Sequence, residues 1–116
     1  MIAHIVLFEP KDGIPTEERH RFLDVIRSIT TCIPSIKRAR VGRTISIGLS
    51  PEHIFGHKTF SYAAIMEFSS RDDLANYLSH VAHDELRKVF WELCQATMIA
   101  DVEMWDPTSQ EAYKLV

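Results

Sequence analysis

The opening stretch Ile2 to Glu9, IAHIVLFE, is almost wholly apolar and β-prone, and it limits the folds open to this chain more than any other segment. Successive strand residues point to opposite faces of a sheet. Ile2, Val6 and Phe8 therefore share one face while Ala3, Ile5 and Leu7 share the other, so both faces need cover. Thr97 to Trp105 repeats the pattern, with Met98, Ala100, Val102 and Met104 on one face and Ile99 with Trp105 on the other. A chain of 116 residues has room for one domain.

The intervening sequence supplies the cover for one face only. Lys11-Asp12-Gly13 is turn chemistry, Pro15 suits the first turn of a helix, and Glu17 and Glu18 favour its positive end. Phe22, Val25, Ile26, Ile29 and Ile33 form one helical stripe that Pro34 ends. Arg38 to Ile47 predicts a second strand, Gly48 to Gly56 a loop and Thr59 to Phe68 a third strand. Ser69 or Ser70 caps a second helix, with Asp72 and Asp73 in its first turn. Its stripe of Leu74, Tyr77, Leu78 and Val81 resumes as Leu86, Val89, Phe90 and Leu93 after an irregularity near His80 to Asp84, with Asp84 as the candidate new N-cap. Thr97 to Trp105 is the fourth strand, ended by Pro107. The tail is polar apart from Tyr113, Leu115 and Val116, and either frays or reaches a partner.

The order β-α-β-β-α-β predicts an α+β, ferredoxin-like antiparallel sheet with both helices on one face, a single domain with its core over residues 1–105 and a tail over 106–116. The uncovered apolar face predicts a homodimer packed sheet to sheet. The composition, 46% hydrophobic and 25% charged, is that of a globular protein rather than a disordered one. A net charge of −3 argues against general nucleic-acid binding. The apolar runs fall far short of the ~20 residues that span a bilayer, and the first run lacks a basic n-region. The expectation is a soluble cytoplasmic domain without membrane contact. Cys32 and Cys94 lie in apolar helical contexts without C-x-x-C spacing; they are either buried free thiols, the simpler reading, or a disulfide.

Several pieces in order resemble the stress-responsive dimeric α/β-barrel (Dabb) family. They are His4-Ile-Val-Leu-Phe, Ile33-Pro34-Ser35-Ile36, Val41-Gly42, Phe60-Ser-Tyr62, Glu67-Phe68 and Tyr77-Leu-Ser-His80-Val-Ala-His83. The resemblance covers roughly residues 1 to 105 and implies the same fold, with two sheets closing a barrel across a dimer. Some members are stress-induced proteins without a known reaction. Olivetolic acid cyclase-type members fold a linear polyketide into an aromatic ring. The resemblance to those members places His4, Tyr77 and His83 on their matching site residues, and Asp101 on the aspartate that orients the second histidine. The chain departs at Tyr62, where the cyclase has a pocket histidine, and at Val81, where relatives carry proline. The first departure leaves the substrate open, and the second bears on the aim of His83.

What these residue types can do follows from their acid–base chemistry. A neutral His83 can take a proton from carbon activated between two carbonyls, with Asp101 orienting it and Tyr77 and His4 as donors. Strand parity allows His4, Tyr62 and Asp101 to share the helix-facing side. Tyr62, Phe22, Phe68 and Trp91 are the candidates to line the apolar cleft; if they fill it instead, the role is structural. Each candidate also has a bland reading, such as a hydrogen-bonded structural histidine or a core tyrosine. Zinc on His80, His83, His4 and Asp101 has no H-E-x-x-H or cysteine-rich spacing behind it, and no phosphate loop exists, so neither metal nor cofactor is expected. Cys94 reads as packing, and His53 and His57 as solvated. Lys37, Arg38, Arg40 and Arg43 read as a solvated strand edge that discourages aggregation, or as a site for an acidic ligand at a pocket mouth.

The preferred function is therefore a homodimer that binds a small organic ligand, with cofactor-free aldol-type cyclisation of a polyketide-like substrate as its chemistry. The alternatives are a non-enzymatic stress or interaction protein and a cofactor-free monooxygenase of aromatic substrates.

Overall fold

A computed structural model of the chain describes residues 1–45 and 60–116. The expected loop Gly48 to Gly56, the far end of the second strand, the start of the third at Thr59, and His53 and His57 lie outside the described residues. Four strands, β1 (Ile2–Pro10), β2 (Arg38–Arg43), β3 (Tyr62–Phe68) and β4 (Cys94–Glu103), form one antiparallel sheet in the order β2-β3-β1-β4. The helices are α1 (Thr16–Cys32), α2 (Arg71–Ser79) and α3 (Val81–Leu93), and a 3₁₀ turn spans Gln110–Leu115.

Local chemistry explains the helix boundaries. Ser70 Oγ accepts the Asp73 N–H at 3.1 Å and starts α2. The break between α2 and α3 falls at His80, which ends one helix and caps the next; its Nδ1 accepts the Ala82 N–H at 3.0 Å. Asp84, expected as that cap, lies in the first turn of α3 and pairs with Arg87 at 3.0 Å instead. Strand β4 begins at Cys94 rather than Thr97, directly after α3, so Cys94 leaves the helical stripe. Both cysteines are free, and Cys32 is exposed rather than buried.

The core lies between the helices and one face of the sheet. Phe22, Val25, Ile26 and Ile29 of α1, Tyr77 of α2 and Leu86, Val89 and Leu93 of α3 bury against Ile2, Val6, Phe8, Ala64, Met66 and Phe68. Each Val, Leu, Ile, Phe or Met side chain among them contributes about 1.5–3 kcal/mol of burial. The opposite face carries Ile65, Met98, Val102 and Met104, all exposed in a single protomer. Among the described residues no helix is long and apolar enough to cross a membrane.

Candidate functional site

Strand register makes the central contact. Antiparallel pairing of β1 with β4 sets His4 directly across from Asp101 on the helix-facing side. His4 Nδ1 donates to Asp101 Oδ1 at 2.5 Å. A carboxylate oxygen can only accept, so Nδ1 carries the bonded proton, and Nε2 is the ring atom left to exchange a proton with a ligand.

The break at His80 builds the other half. It turns the chain so that Tyr77, near the end of α2, and His83, in the first turn of α3, meet edge to face with ring centroids 4.7 Å apart. Tyr77 also meets His4 edge-on at 5.5 Å, and so stands between the two imidazoles. The Tyr77 hydroxyl and His83 Nδ1 are both buried without a hydrogen-bond partner. Two orphaned polar atoms in such a place are expensive unless something else meets them.

Electrostatics fixes their protonation. Burial, reinforced by the charge of Asp101, pushes the Tyr77 phenol well above its ordinary range, so it remains a donor. Burial, with the positive charge of Arg87 and a smaller contribution from His4, pulls His83 down to about 4, so its ring is neutral at pH 7. A cavity of about 790 Å³ opens between β1, β4 and α3, and His4, Tyr77, His83 and Asp101 all line it. Cys94 lines it too, but burial raises its thiol to about 11, which keeps it from acting as a thiolate.

The structure redistributes the expected site. It brings the four acid–base residues together but assigns Asp101 to His4 rather than to His83, because register opposes those two positions. Trp91 lies at the cavity rim, 87% exposed. Phe68 is wholly buried behind Tyr77, with ring centroids 5.2 Å apart, and does not line the cavity. Phe22 and Tyr62 pack on Phe8 at 5.0 and 5.6 Å and line a second, smaller hollow beneath β2 and β3. Residues not singled out from the sequence also line the main cavity, among them Thr97, Ile99, Arg87 and Lys11. Thr97 and Ile99 share the parity of Asp101, and Arg87 lies one helical turn past His83, so alternation and helical spacing held the signal.

An antiparallel four-stranded sheet with its helices packed on one face is a ferredoxin-like α+β fold. The chain belongs to the Stress responsive A/B Barrel Domain (Dabb) family, whose description it matches over residues 2–104. It is 24% identical over 108 residues to the Stress-response A/B barrel domain-containing protein HS1 of Arabidopsis thaliana, covering 93% of this chain and 91% of that protein. Two solved structures share the fold. One is a dimeric ferredoxin-like protein of unknown function from Thermobifida fusca, with TM-score 0.69, 16% identity, and 89% and 90% of the two chains covered. The other is the hydroxynitrile lyase of Passiflora edulis, with TM-score 0.72, 18% identity, and 91% and 96% covered.

Proposed function

We propose that the protein is a homodimer that binds a small, largely apolar carbonyl compound in the main cleft and moves a proton on it without a cofactor. The aldol-type closure of a polyketide-like chain is the reaction that best matches the site. The observation that carries this reading is the His4–Asp101 pair facing an unpartnered Tyr77 hydroxyl and a neutral His83 across a hollow.

His4 Nε2 takes a proton from a carbon lying between two carbonyls, and the freed electron pair becomes an enolate. The enolate carbon attacks a carbonyl carbon further along the same molecule, forming the ring bond. The carbonyl electrons move to oxygen, and the proton returns there from the imidazolium. Nothing is oxidised or reduced. Asp101 holds the His4 ring in the required tautomer and offsets the charge it gains. The Tyr77 hydroxyl donates to the oxygen on which charge develops. His83 serves here as a neutral hydrogen-bonding group, because a base held near pH 4 draws protons too weakly for the first step.

The resemblance to cyclase-type members read from the sequence at His4, Tyr77, His83 and Asp101 favours this chemistry, as does a hydroxynitrile lyase on the same fold. The exposed Ile65, Met98, Val102 and Met104 support the dimer, since monomers rarely leave such a face to water. The dimeric neighbour points the same way.

The test is exchange of the activated protons of a 3,5-dioxo ester in D₂O, followed by NMR. The protein should accelerate exchange, and His4→Ala or Asp101→Asn should remove roughly 10²–10⁴-fold of it with the fold intact. Unchanged exchange in His4→Ala overturns the assigned base, and no acceleration by the parent protein favours a non-enzymatic interaction role. Light scattering should give a dimer that Ile65→Asp splits; a parent monomer would sink the assembly.

A further inference from the structure

The second hollow has a chemistry of its own. It holds about 360 Å³ between α1, β2 and β3. Its floor is apolar, made by the buried Phe8 and Phe22 and closed by Tyr62. Leu23 and Val41 extend that apolar surface outward, 42% and 46% exposed. Its rim is cationic: Arg19 and His20 of α1 face the hollow together with Arg43 at the end of β2. No carboxylate lies among its described lining residues, and neither arginine makes an ion pair with any described residue.

Two arginines on the same elements are paired instead. Arg21 binds Glu18 and Glu92, both at 2.9 Å, and Arg38 binds Glu67 at 2.8 Å. Arg27 and Arg40 on the same two elements are likewise unpaired among the described residues, so what sets Arg19 and Arg43 apart is that they converge, without a carboxylate, on one apolar hollow. Of the basic cluster at 37–43, Arg38 pairs with Glu67 on the outer face, whereas Arg43 has the inner-face parity that brings it to this rim. Unpaired guanidinium groups over an aromatic floor recognise a molecule with one carboxylate and an apolar body, because the fork of N–H donors matches a carboxylate and the floor takes the chain.

We infer that this hollow is a second binding site, separate from the acid–base cleft, for an amphiphilic monocarboxylate such as a medium-chain fatty acid or an arylalkanoate. Among the described residues the two sites share only Ile26 in their linings, and the packed rings of Phe8, Phe22 and Phe90 stand between them. The inference is therefore independent of whether the cleft turns anything over.

Octanoate titrated into the isotope-labelled protein, with its neutral counterpart octanamide in parallel, tests the assignment by NMR. Octanoate should shift Leu23, Val41 and Gly42 and leave Thr97 and Ile99 of the main cleft in place. Octanamide should bind about tenfold more weakly, and Arg19→Gln and Arg43→Gln should each cost about tenfold for octanoate but little for octanamide. Both arginines are exposed, so these variants keep the fold. Val41→Asp, which sets a like charge at the mouth, should abolish octanoate binding. Shifts confined to the main cleft overturn the inference. So does equal binding of acid and amide, or octanoate affinity that survives both arginine substitutions. His4→Ala should leave octanoate binding unchanged while removing proton exchange, which keeps this result distinct from the fate of the proposed reaction.

Discussion

One strand, β1, sends His4 and Phe8 to the same face of the sheet, and the two ends of that face have opposite characters. Around Phe8 the rings pack closely: its ring lies 5.0 Å from Phe22 and 4.8 Å from Phe90, Phe22 lies 5.1 Å from Phe90, and the second hollow opens only on their far side. Around His4 the space is hollow, and the groups that border it are a histidine–carboxylate pair and two orphaned polar atoms. An apolar void between these layers would simply forfeit packing. A hollow bordered by convergent polar groups is different, because its lining costs stability in the empty protein and gains only when something occupies it. Aromatic density therefore marks the packed wall between the two hollows, and polar dissatisfaction marks the acid–base cleft.

The comparison is broken most severely by emptying the filled end. Phe22→Ala should cost about 3–5 kcal/mol of unfolding free energy, the range for a buried aromatic that leaves a cavity. Urea denaturation would measure it, and a loss below about 1 kcal/mol would mean that the aromatic end is as loosely packed as the cleft.

A smaller effect tests the hollow end through pH. In the unfolded chain His83 titrates near its ordinary value of about 6.5, and in the fold near 4. Between those values the unfolded state holds more protons, so stability falls as the solution is acidified from about pH 6.5 to about 4, and this contribution is flat outside that window. The expected loss is of order 2 kcal/mol after allowing for solvent in the open cleft. It should vanish in His83→Gln. Urea midpoints stepped through that window measure it, and equal slopes for parent and variant would show that the ring at 83 is not held in its neutral form.

How much of this contrast could be read from the chain depends on the range of the interaction. The two-faced apolar strands and the element order led to the sheet and its one-sided helices, since period-2 and period-3.6 patterns are local. The break at His80 was placed to within a few residues, but its cap was misassigned to Asp84. Aspartate is the commoner capping residue, and the imidazole that does the work has no comparable propensity. Strand parity put His4 and Asp101 on one side, yet parity says nothing of register along the strand, which is what pairs Asp101 with His4 rather than with His83. The aromatic candidates are divided for a plainer reason: Phe68 is large and apolar and the fold uses it as filling, while Phe22 and Tyr62 pack on Phe8 and border the second hollow rather than the main cleft. Trp91 escaped that use only because its position on α3 points outward at the cleft rim.

That position supplies the smallest expected change in stability. At 87% exposure Trp91 contributes almost no buried area, so Trp91→Ala should alter unfolding free energy by no more than about 0.5 kcal/mol, against the several lost at Phe22. The indole nonetheless borders the hollow, and a molecule entering it would cover part of the ring and exclude water there. Titration with the dioxo ester should shift the tryptophan emission of the parent protein to shorter wavelength. The shift should be absent in Trp91→Phe, which leaves Trp105 as the remaining tryptophan. Octanoate, directed to the opposite hollow, should leave the emission unchanged. A shift that persists in Trp91→Phe would place the bound molecule away from the rim, and a stability loss above 1 kcal/mol in Trp91→Ala would mean the indole is covered, as it would be if a partner protomer rested on it. Either result would shift the boundary between the filled and hollow ends, because that boundary rests on Trp91 being at once free of the core and in reach of the cleft.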